Sequence, residues 1–392
     1  MSRSLPPRPS LDQLKHQAKD ALKSHRAGDA LGCAVLRHLP SLSAATDAQL
    51  LAARVTLVDV QFALALEYGF DNWQALRRHL EKLEPSGVSL ANLKQPPLNT
   101  TMMGVLKGVA DYHGLDLDAP MIYGLSGHAF LINIHTQLCP SGPYCWKREN
   151  AAPLIANMGL RMTDLGFFGG DAKPELRADL ERKLRAALDK RIPCSLINME
   201  NQIISGFDAT GLLCTQPWGP RNRFTPAKLT FGSWEEFGKE CHVNFYTIEK
   251  VRPADRRAAV LASLDYAGDM WRNPSAHSSR DYGAGPNAYD NWIAAIPASG
   301  TSHGNWWNAT VWSECRAMAA EYFRAVGKDY RDVAAPCAQI SAACLEIAEA
   351  LRKVGDKDLD SVRKAALLKE AKNLEAETMG KVQKLADALR AP

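Results

Sequence analysis

The sequence lacks long apolar runs. None of its 392 residues belongs to an uninterrupted stretch of eighteen or more apolar residues, so a membrane-spanning helix is not expected. The first ten residues, MSRSLPPRPS, lack the apolar core of a secretion signal. We therefore expect a soluble protein that is located in the cytoplasm and does not bind membranes.

An excess of charge of either sign is also missing. The chain has 47 basic and 43 acidic residues, giving a net charge of +4, which is too balanced to favour binding to nucleic acid or to an anionic membrane. Neither a GxGxxG motif following a strand nor a GxxxxGK[ST] motif is present, so nucleotide binding has no support.

The cysteines lack the spacing of a disulfide framework. There are nine of them, an odd number, scattered from Cys33 to Cys344. Most are expected to be buried apolar residues of a reduced protein.

A helix is predicted to begin after Asn99, in the segment LNTTMMGVLKGVADYHG. Thr100 or Thr101 precedes an apolar pattern formed by Met102, Val105, Leu106 and Val109. The free N–H groups at a helix start stabilise an anionic nucleophile or an oxyanion. The alternative is that the threonine is only the helix N-cap.

A second segment, Arg191 to Gly219, reads as two buried strands around a polar interruption. The order of a helix followed by strands, with these motifs, resembles the butirosin-biosynthesis acyltransferase family and, more distantly, bacteriocin-processing cysteine peptidases. The resemblance covers about residues 95 to 350. It implies an α+β protein with a papain-like domain built on an antiparallel sheet.

The resemblance also implies roles for individual residues. Thr101 stands at the position of the family's nucleophilic cysteine, Glu200 at that of its histidine, and Asp208 where such folds often place an acid. Since Thr101 cannot form a thiolate, ordinary cysteine-protease chemistry is not expected. Glu200 could act as a general base if burial raises its pKa, with Thr101 as a hydroxyl partner and His128 as a second titratable group.

A cluster of potential metal ligands follows the helix that is predicted to begin after Asn99. His128, His135, Cys139 and Cys145 fall within eighteen residues, and all four can bind Zn²⁺. The two histidines are seven residues apart, on opposite faces of one continuous strand, so a shared metal would need a bulge or turn. We expect a loop with reduced, unligated thiols and predict no cofactor. A zinc site, or a cysteine that replaces the missing nucleophile, stays as an alternative.

Several residues are predicted to contact the substrate because they flank the expected cleft. They are Asn99, Tyr123, Ser126, Cys139, Cys145 and Trp218.

Four regions are predicted along the chain. Residues 1–84 form a helical accessory module with a capping box at Ser10 and Gln13, and its segment LEYGFDNWQALRRHLEKL resembles the small helical segment ahead of bacterial ankyrin-repeat proteins. Residues 85–97, rich in Pro, Ser and Gly, form a linker. Residues 98–253 form the papain-like domain, and 254–392 form a helical C-terminal region.

The function that the resemblance implies is acyl transfer or amide-bond chemistry on an amino-acyl small molecule, free or bound to a carrier protein. Two alternatives stay open: a pseudoenzyme that binds such a ligand without turnover, and a metal-dependent hydrolase.

Overall fold

The computed structural model describes residues 4–5, 11–83, 87–222 and 224–390. It divides the chain into two compact units, Met1–Ser86 and Gly87–Pro392. The predicted capping box at Ser10 lies outside the described residues.

The first unit is helical, as predicted. Its helices are α1 (Leu11–Arg26), α2 (Asp47–Ala52), α3 (Leu57–Glu67) and α4 (Trp73–Leu83), with 3-10 turns at Ala34–His38 and Pro40–Leu42. Thr46 and Thr56 form capping boxes that begin α2 and α3. Asn72 accepts the N–H of Ala75 at the start of α4.

The second unit is α+β and carries an antiparallel sheet of seven strands within the described residues. The strands of this sheet are β1 (Gly87–Ser89), β3 (Leu160–Gly169), β4 (Cys194–Asn198), β5 (Glu200–Asp208), β6 (Gly211–Cys214), β7 (Lys228–Thr230) and β8 (His242–Lys250). Their order is β3-β8-β4-β5-β6-β7, and β1 pairs with β5 beyond the end of β4. A separate ribbon pairs β2 (Asn133–His135) with β9 (Tyr282–Ala284).

The linker prediction is wrong for residues 87–97. Val88 pairs with Phe207 in the sheet, and Leu90 donates its N–H to the carbonyl of Ser205. The proline-rich composition gave no sign of the three-residue strand β1. This strand pairs with β5, which lies more than 100 residues further along the chain.

Helices cover the sheet and form the rest of the second unit. They are α5 (Thr101–Tyr112), α6 (Ala119–Leu125), α7 (Ala152–Asn157), α8 (Pro174–Asp189), α9 (Arg256–Arg272), α10 (Pro286–Ser299), α11 (His303–Asp329), α12 (Ala334–Val354) and α13 (Ser361–Arg390). The helices after residue 254 share one hydrophobic core with the sheet domain. The predicted boundary at 253/254 therefore marks a change of secondary structure inside one compact unit.

One described helical segment, Arg331–Val354, is long and apolar enough to cross a membrane by length and composition. Its residues Ile340, Ile347 and Leu351 are buried in the core of the second unit. The core helix of a soluble protein has the same composition, so this segment is consistent with a soluble protein.

Close packing of α5 depends on Gly108. A Cβ atom at this position would lie 2.1 Å from the carbonyl oxygen of Lys94 and 2.8 Å from Cδ1 of Ile203. Gly108→Ala is therefore expected to lower the free energy of unfolding by about 1–3 kcal/mol through overpacking. Urea denaturation measures the change.

The matched control for this substitution is Gly380→Ala in α13, where a Cβ would meet no atom within 4 Å. That variant should gain about 0.5–1 kcal/mol, because alanine favours a helix interior over glycine. Equal effects of the two substitutions would contradict the close approach of α5 to the sheet.

Candidate active site

Glu200 is the first residue of β5 and lies at a very tight turn. Asn198 and Glu200 pair with each other across a single residue, Met199, whose φ is 64°. A left-handed backbone is costly for a side chain other than glycine, and such strain is concentrated at functional sites. The turn fixes the Glu200 carboxyl at the end of the two strands.

Two hydroxyl groups donate hydrogen bonds to this carboxylate. The Thr101 hydroxyl donates to Oε2 at 2.8 Å, and the Tyr144 hydroxyl donates to Oε1 at 2.5 Å. Each hydroxyl oxygen in turn accepts an N–H: Thr101 from the backbone of Asn201 at 2.9 Å, and Tyr144 from the indole of Trp307 at 2.9 Å. Both chains of hydrogen bonds therefore point towards Glu200.

The pKa of Glu200 is raised from 4.5 to about 7, mainly because the carboxyl group is buried. The hydrogen bonds from Tyr144 and Thr101 oppose this shift. The residue is 6 % exposed. A carboxyl group with a pKa near neutrality can both accept and release a proton at physiological pH. Both incoming hydrogen bonds are stronger to the ionised carboxylate than to the neutral acid, which favours release of the proton.

Glu200 lies in the wall of a large cleft of about 1310 Å³. This volume exceeds the usual range of small-molecule pockets, roughly 300–1,000 Å³. The other lining residues are Asn99, Cys139, Pro140, Ser141, Tyr144, Cys145, Trp146, Arg148, Glu149, Asp164, Phe167, Ile197, Met199, Trp218, Arg221, Asn222, Phe224, His242, Asn244, Tyr246, His303, Trp306 and Trp307.

Thr101 lies behind Glu200 and not in the cleft wall. It is the first residue of α5, as predicted, but it is only 1 % exposed and does not line the cleft. The structure thus brings Thr101 and Glu200 together, although a substrate in the cleft would meet Glu200 alone. Thr101 therefore contacts the Glu200 carboxylate from the side that faces away from the cleft.

The N-terminus of α5 is occupied by a carboxylate. Glu314 of α11 accepts the backbone N–H groups of Asn99 at 3.1 Å and Thr100 at 3.0 Å, and it also accepts the Tyr123 hydroxyl. Asn99 and Thr100 directly precede α5, so an oxyanion at this helix start would face the negative charge of Glu314, which opposes the predicted oxyanion site.

His128 is not part of the site. It lies in a 3-10 turn, His128–Phe130, where it is 2 % exposed and surrounded by Tyr123, Trp146 and Trp312. Both ring nitrogens lack a hydrogen-bond partner among the described residues. Burial, with a smaller contribution from nearby arginines, lowers its pKa to about 3, so His128 is neutral and cannot serve as the second titratable group.

Asp208 is also remote from Glu200. It lies at the opposite end of β5, eight residues and about 26 Å further along the strand. There it accepts hydrogen bonds from Thr210 and Lys228 at a turn. The acid predicted for the site therefore stabilises the β5-β6 connection.

The predicted substrate contacts divide into two groups. Asn99, Cys139, Cys145 and Trp218 line the cleft. Tyr123 and Ser126 are buried in α6 and at its end, away from the lining, since Tyr123 donates to Glu314 and Ser126 to the carbonyl of Tyr123.

The predicted metal ligands do not converge. His128 lies in the core, whereas His135 ends β2 and its ring contacts Tyr282. Within the described parts of the chain, no group of three or more His, Cys, Asp or Glu side chains could hold a metal ion. The two histidines also lie in different elements instead of one continuous strand.

Sequence reasoning missed Tyr144, Arg148 and Trp307. Tyr144 stands in the segment PSGPYCW, between Cys139 and Cys145. Trp307 belongs to the doubled tryptophan near the start of α11. For Tyr144, the available signal was an aromatic residue with a polar atom in a loop; for Trp307, it was the doubled tryptophan.

Comparison with known protein families and with curated proteins found no match to this chain. The class of protein is therefore defined by the fold and the site alone: an α+β protein with a buried carboxylate in an aromatic cleft.

Removing the Thr101 hydroxyl should raise the pKa of Glu200 further above 7, because that hydrogen bond lowers it. Thr101→Val is expected to shift the pKa by about one unit, the size of a hydrogen bond to a charged group. The ¹³C chemical shift of the labelled carboxyl, followed against pH, measures the shift.

Thr101→Ser is the matched control because it keeps the hydroxyl and should leave the titration near that of the parent protein. Identical titrations of the valine and parent proteins would show that Thr101 does not influence Glu200.

Proposed function

We propose that this protein is an acyl-transfer or amide-bond enzyme in which Glu200 is the general base. The observation that carries the proposal is a nearly buried carboxyl group with a pKa of about 7 in the wall of a large cleft. Strongly shifted carboxyl groups in clefts are typical of catalytic sites.

The proposal includes a papain-like origin for the second unit. It is supported by the packing of α5 against the antiparallel sheet. Thr101 is the first residue of α5, Glu200 is the first residue of β5, and the two side chains are hydrogen-bonded. In this interpretation the cysteine and histidine positions have become a hydroxyl and carboxyl pair. The cytoplasmic location and an amino-acyl substrate are part of the same proposal.

The chemistry would proceed by direct attack, without a covalent enzyme intermediate. An amine or water bound in the cleft attacks an acyl carbonyl while Glu200 takes its proton, and the bond from the carbonyl carbon to the leaving group breaks. Glu200 then gives the proton to the leaving group, which restores the carboxylate. Tyr144 stays protonated, because burial and the Glu200 charge raise its pKa well above 10, and holds Glu200 in place.

The test uses hydrolysis and aminolysis of a simple activated acyl probe, p-nitrophenyl acetate or an N-acetylcysteamine thioester. Glu200→Gln should lower kcat/KM by about 10²–10⁴-fold, the usual contribution of a general base. The parent rate should rise with pH through about 7, since the base acts when ionised.

Glu149→Gln is the matched control, because Glu149 is an exposed carboxylate of the same cleft. Its rate should stay close to that of the parent. Equal rates for the Glu200→Gln and parent proteins would overturn the proposal.

A second candidate is a non-catalytic protein that binds the same kind of ligand. It is favoured by the carboxylate of Glu314, which lies beside the start of α5 and opposes the negative charge of an oxyanion there. A ligand that binds and is recovered unchanged, with probe hydrolysis no faster than in buffer, would support this candidate.

A further inference from the structure

The cleft concentrates exposed apolar side chains. In the described residues of the second unit, six large apolar side chains are exposed, and Phe167, Met199 and Trp306 among them line this one cleft. Their exposed fractions are 62 %, 41 % and 48 %. Exposed apolar groups gathered in a concave site mark the place where an apolar part of a ligand is desolvated.

Much of this surface is formed by indole rings. Trp306 and Trp307 lie 5.6 Å apart at an interplanar angle of 39°, and Trp218 meets Trp307 edge to face at 5.6 Å. Trp307 is fixed by its hydrogen bond to Tyr144 and is 9 % exposed. Trp306 is 48 % exposed, and its ring also contacts that of His303 at 5.3 Å. A flat aromatic ring gains both burial and stacking on such a surface.

A guanidinium group without a carboxylate partner lies in the same cleft. Arg148 is half-buried and donates to the backbone carbonyl of Tyr144 at 3.1 Å and to the Tyr246 hydroxyl at 3.5 Å. No carboxylate of the described chain forms an ion pair with it, although Glu149 and Asp164 line the same cleft. A partly desolvated arginine is most stable with a planar anion such as a carboxylate.

Arg148 and Glu200 are placed on either side of one tyrosine. Arg148 binds the backbone end of Tyr144, and Glu200 accepts the hydroxyl at the other end. Arg148 and Glu200 therefore present one cationic and one anionic group to the same cleft, which suits the carboxylate and the amine of an α-amino acid. The amine would then lie at the group that takes its proton.

We propose that the cleft binds an aromatic α-amino acid as the amine that accepts the acyl group. Its carboxylate contacts Arg148, its amine contacts Glu200, and its ring lies on Trp306 near Phe167 and Met199. The inference rests on the proposed function for the reaction, but the binding of the amino acid is a separate property.

Binding of L-phenylalanine to the full chain, measured by calorimetry and tryptophan fluorescence, tests the proposal. Three probes each remove one feature: phenylalanine amide lacks the carboxylate, 3-phenylpropanoate lacks the amine, and L-alanine lacks the ring. Each should bind about tenfold or more weakly than phenylalanine.

Variants assign the contacts. Arg148→Met should weaken phenylalanine binding to the level of the amide, and Trp306→Ala should weaken it roughly five- to tenfold. Leu345→Ala, an exposed apolar residue of α12 outside the cleft, should bind like the parent. Unchanged circular dichroism shows that each variant is folded, and Trp306 is exposed enough for its substitution to be tolerated.

Three results would overturn the inference: no binding of phenylalanine up to about 10 mM, equal affinities for phenylalanine and its amide, or loss of selectivity in Arg221→Met but not in Arg148→Met. Failure of the proposed function looks different. In that case phenylalanine binds with the expected selectivity, but Glu200→Gln leaves the acyl-probe rate unchanged.

Discussion

The Glu200→Gln variant is expected to gain about 3 kcal/mol of stability relative to the parent protein as the pH rises from below 4.5 to well above 7. The folded-state pKa of Glu200 is about 7, against 4.5 for the ordinary group. Between these values the unfolded chain loses its proton while the folded protein keeps it. The parent protein therefore loses stability over this pH range, and the loss levels off above the folded-state pKa.

The measurement is the free energy of unfolding in urea at a series of pH values for both proteins. The difference between them is the informative quantity, because a rotated or lost hydrogen bond in the variant adds a constant offset. His128 acts in the opposite direction, since its lowered pKa costs stability as the pH falls below 6.5. Both proteins contain His128, so its contribution cancels in the difference.

Leu345→Ala is the control here, because it changes no titratable group. Its difference from the parent should not vary with pH. A Glu200→Gln difference that is equally flat would show that Glu200 has the same pKa in the folded and unfolded chain.

Glu375→Ala is expected to destabilise the protein by about 3–5 kcal/mol. Glu375 of α13 and Arg316 of α11 form an ion pair at 2.5 Å, and they are 1 % and 2 % exposed. Arg316 also donates to the carbonyls of Ala129 and Leu131, and the Tyr289 hydroxyl donates to Glu375. Without the carboxylate, the guanidinium would stay buried without this counter-charge.

The matched control is Glu349→Ala, which removes an exposed ion pair with Arg352 on α12. Exposed pairs contribute roughly 0–1 kcal/mol. Replacing both buried partners, as in Arg316→Met with Glu375→Leu, should recover much of the lost stability, since no uncompensated charge is left. A Glu375→Ala variant as stable as Glu349→Ala would contradict the buried ion pair.

Local patterns predicted the elements of the site, but not the contacts between them. The apolar spacing after Thr100 predicted the start of α5. The apolar residues of the segment from Arg191 to Gly219 predicted the strands that meet at Glu200. The hydrogen bond between Thr101 and Glu200 joins residues 99 positions apart, and only the packing of α5 on β5 creates it.

The assignment of Asp208 to the site could have been rejected from the sequence alone. A strand advances about 3.3 Å per residue, so two residues eight positions apart on one strand cannot share a site. The Glu200 and Asp208 assignments were therefore incompatible once β5 was continuous from 200 to 208. His128 gave no such signal, because its burial among Trp146 and Trp312 results from tertiary packing.

The proposed function requires Glu200 to exchange a proton near neutral pH in the cleft. The most direct measurement is a pH titration of the ¹³C-labelled glutamate carboxyl groups of the full chain, with Glu200→Gln used to assign the resonance. We predict a single carboxyl resonance with a midpoint near pH 7 that is missing in the variant. A midpoint close to 4.5 for the assigned resonance would show that Glu200 does not exchange a proton near neutral pH.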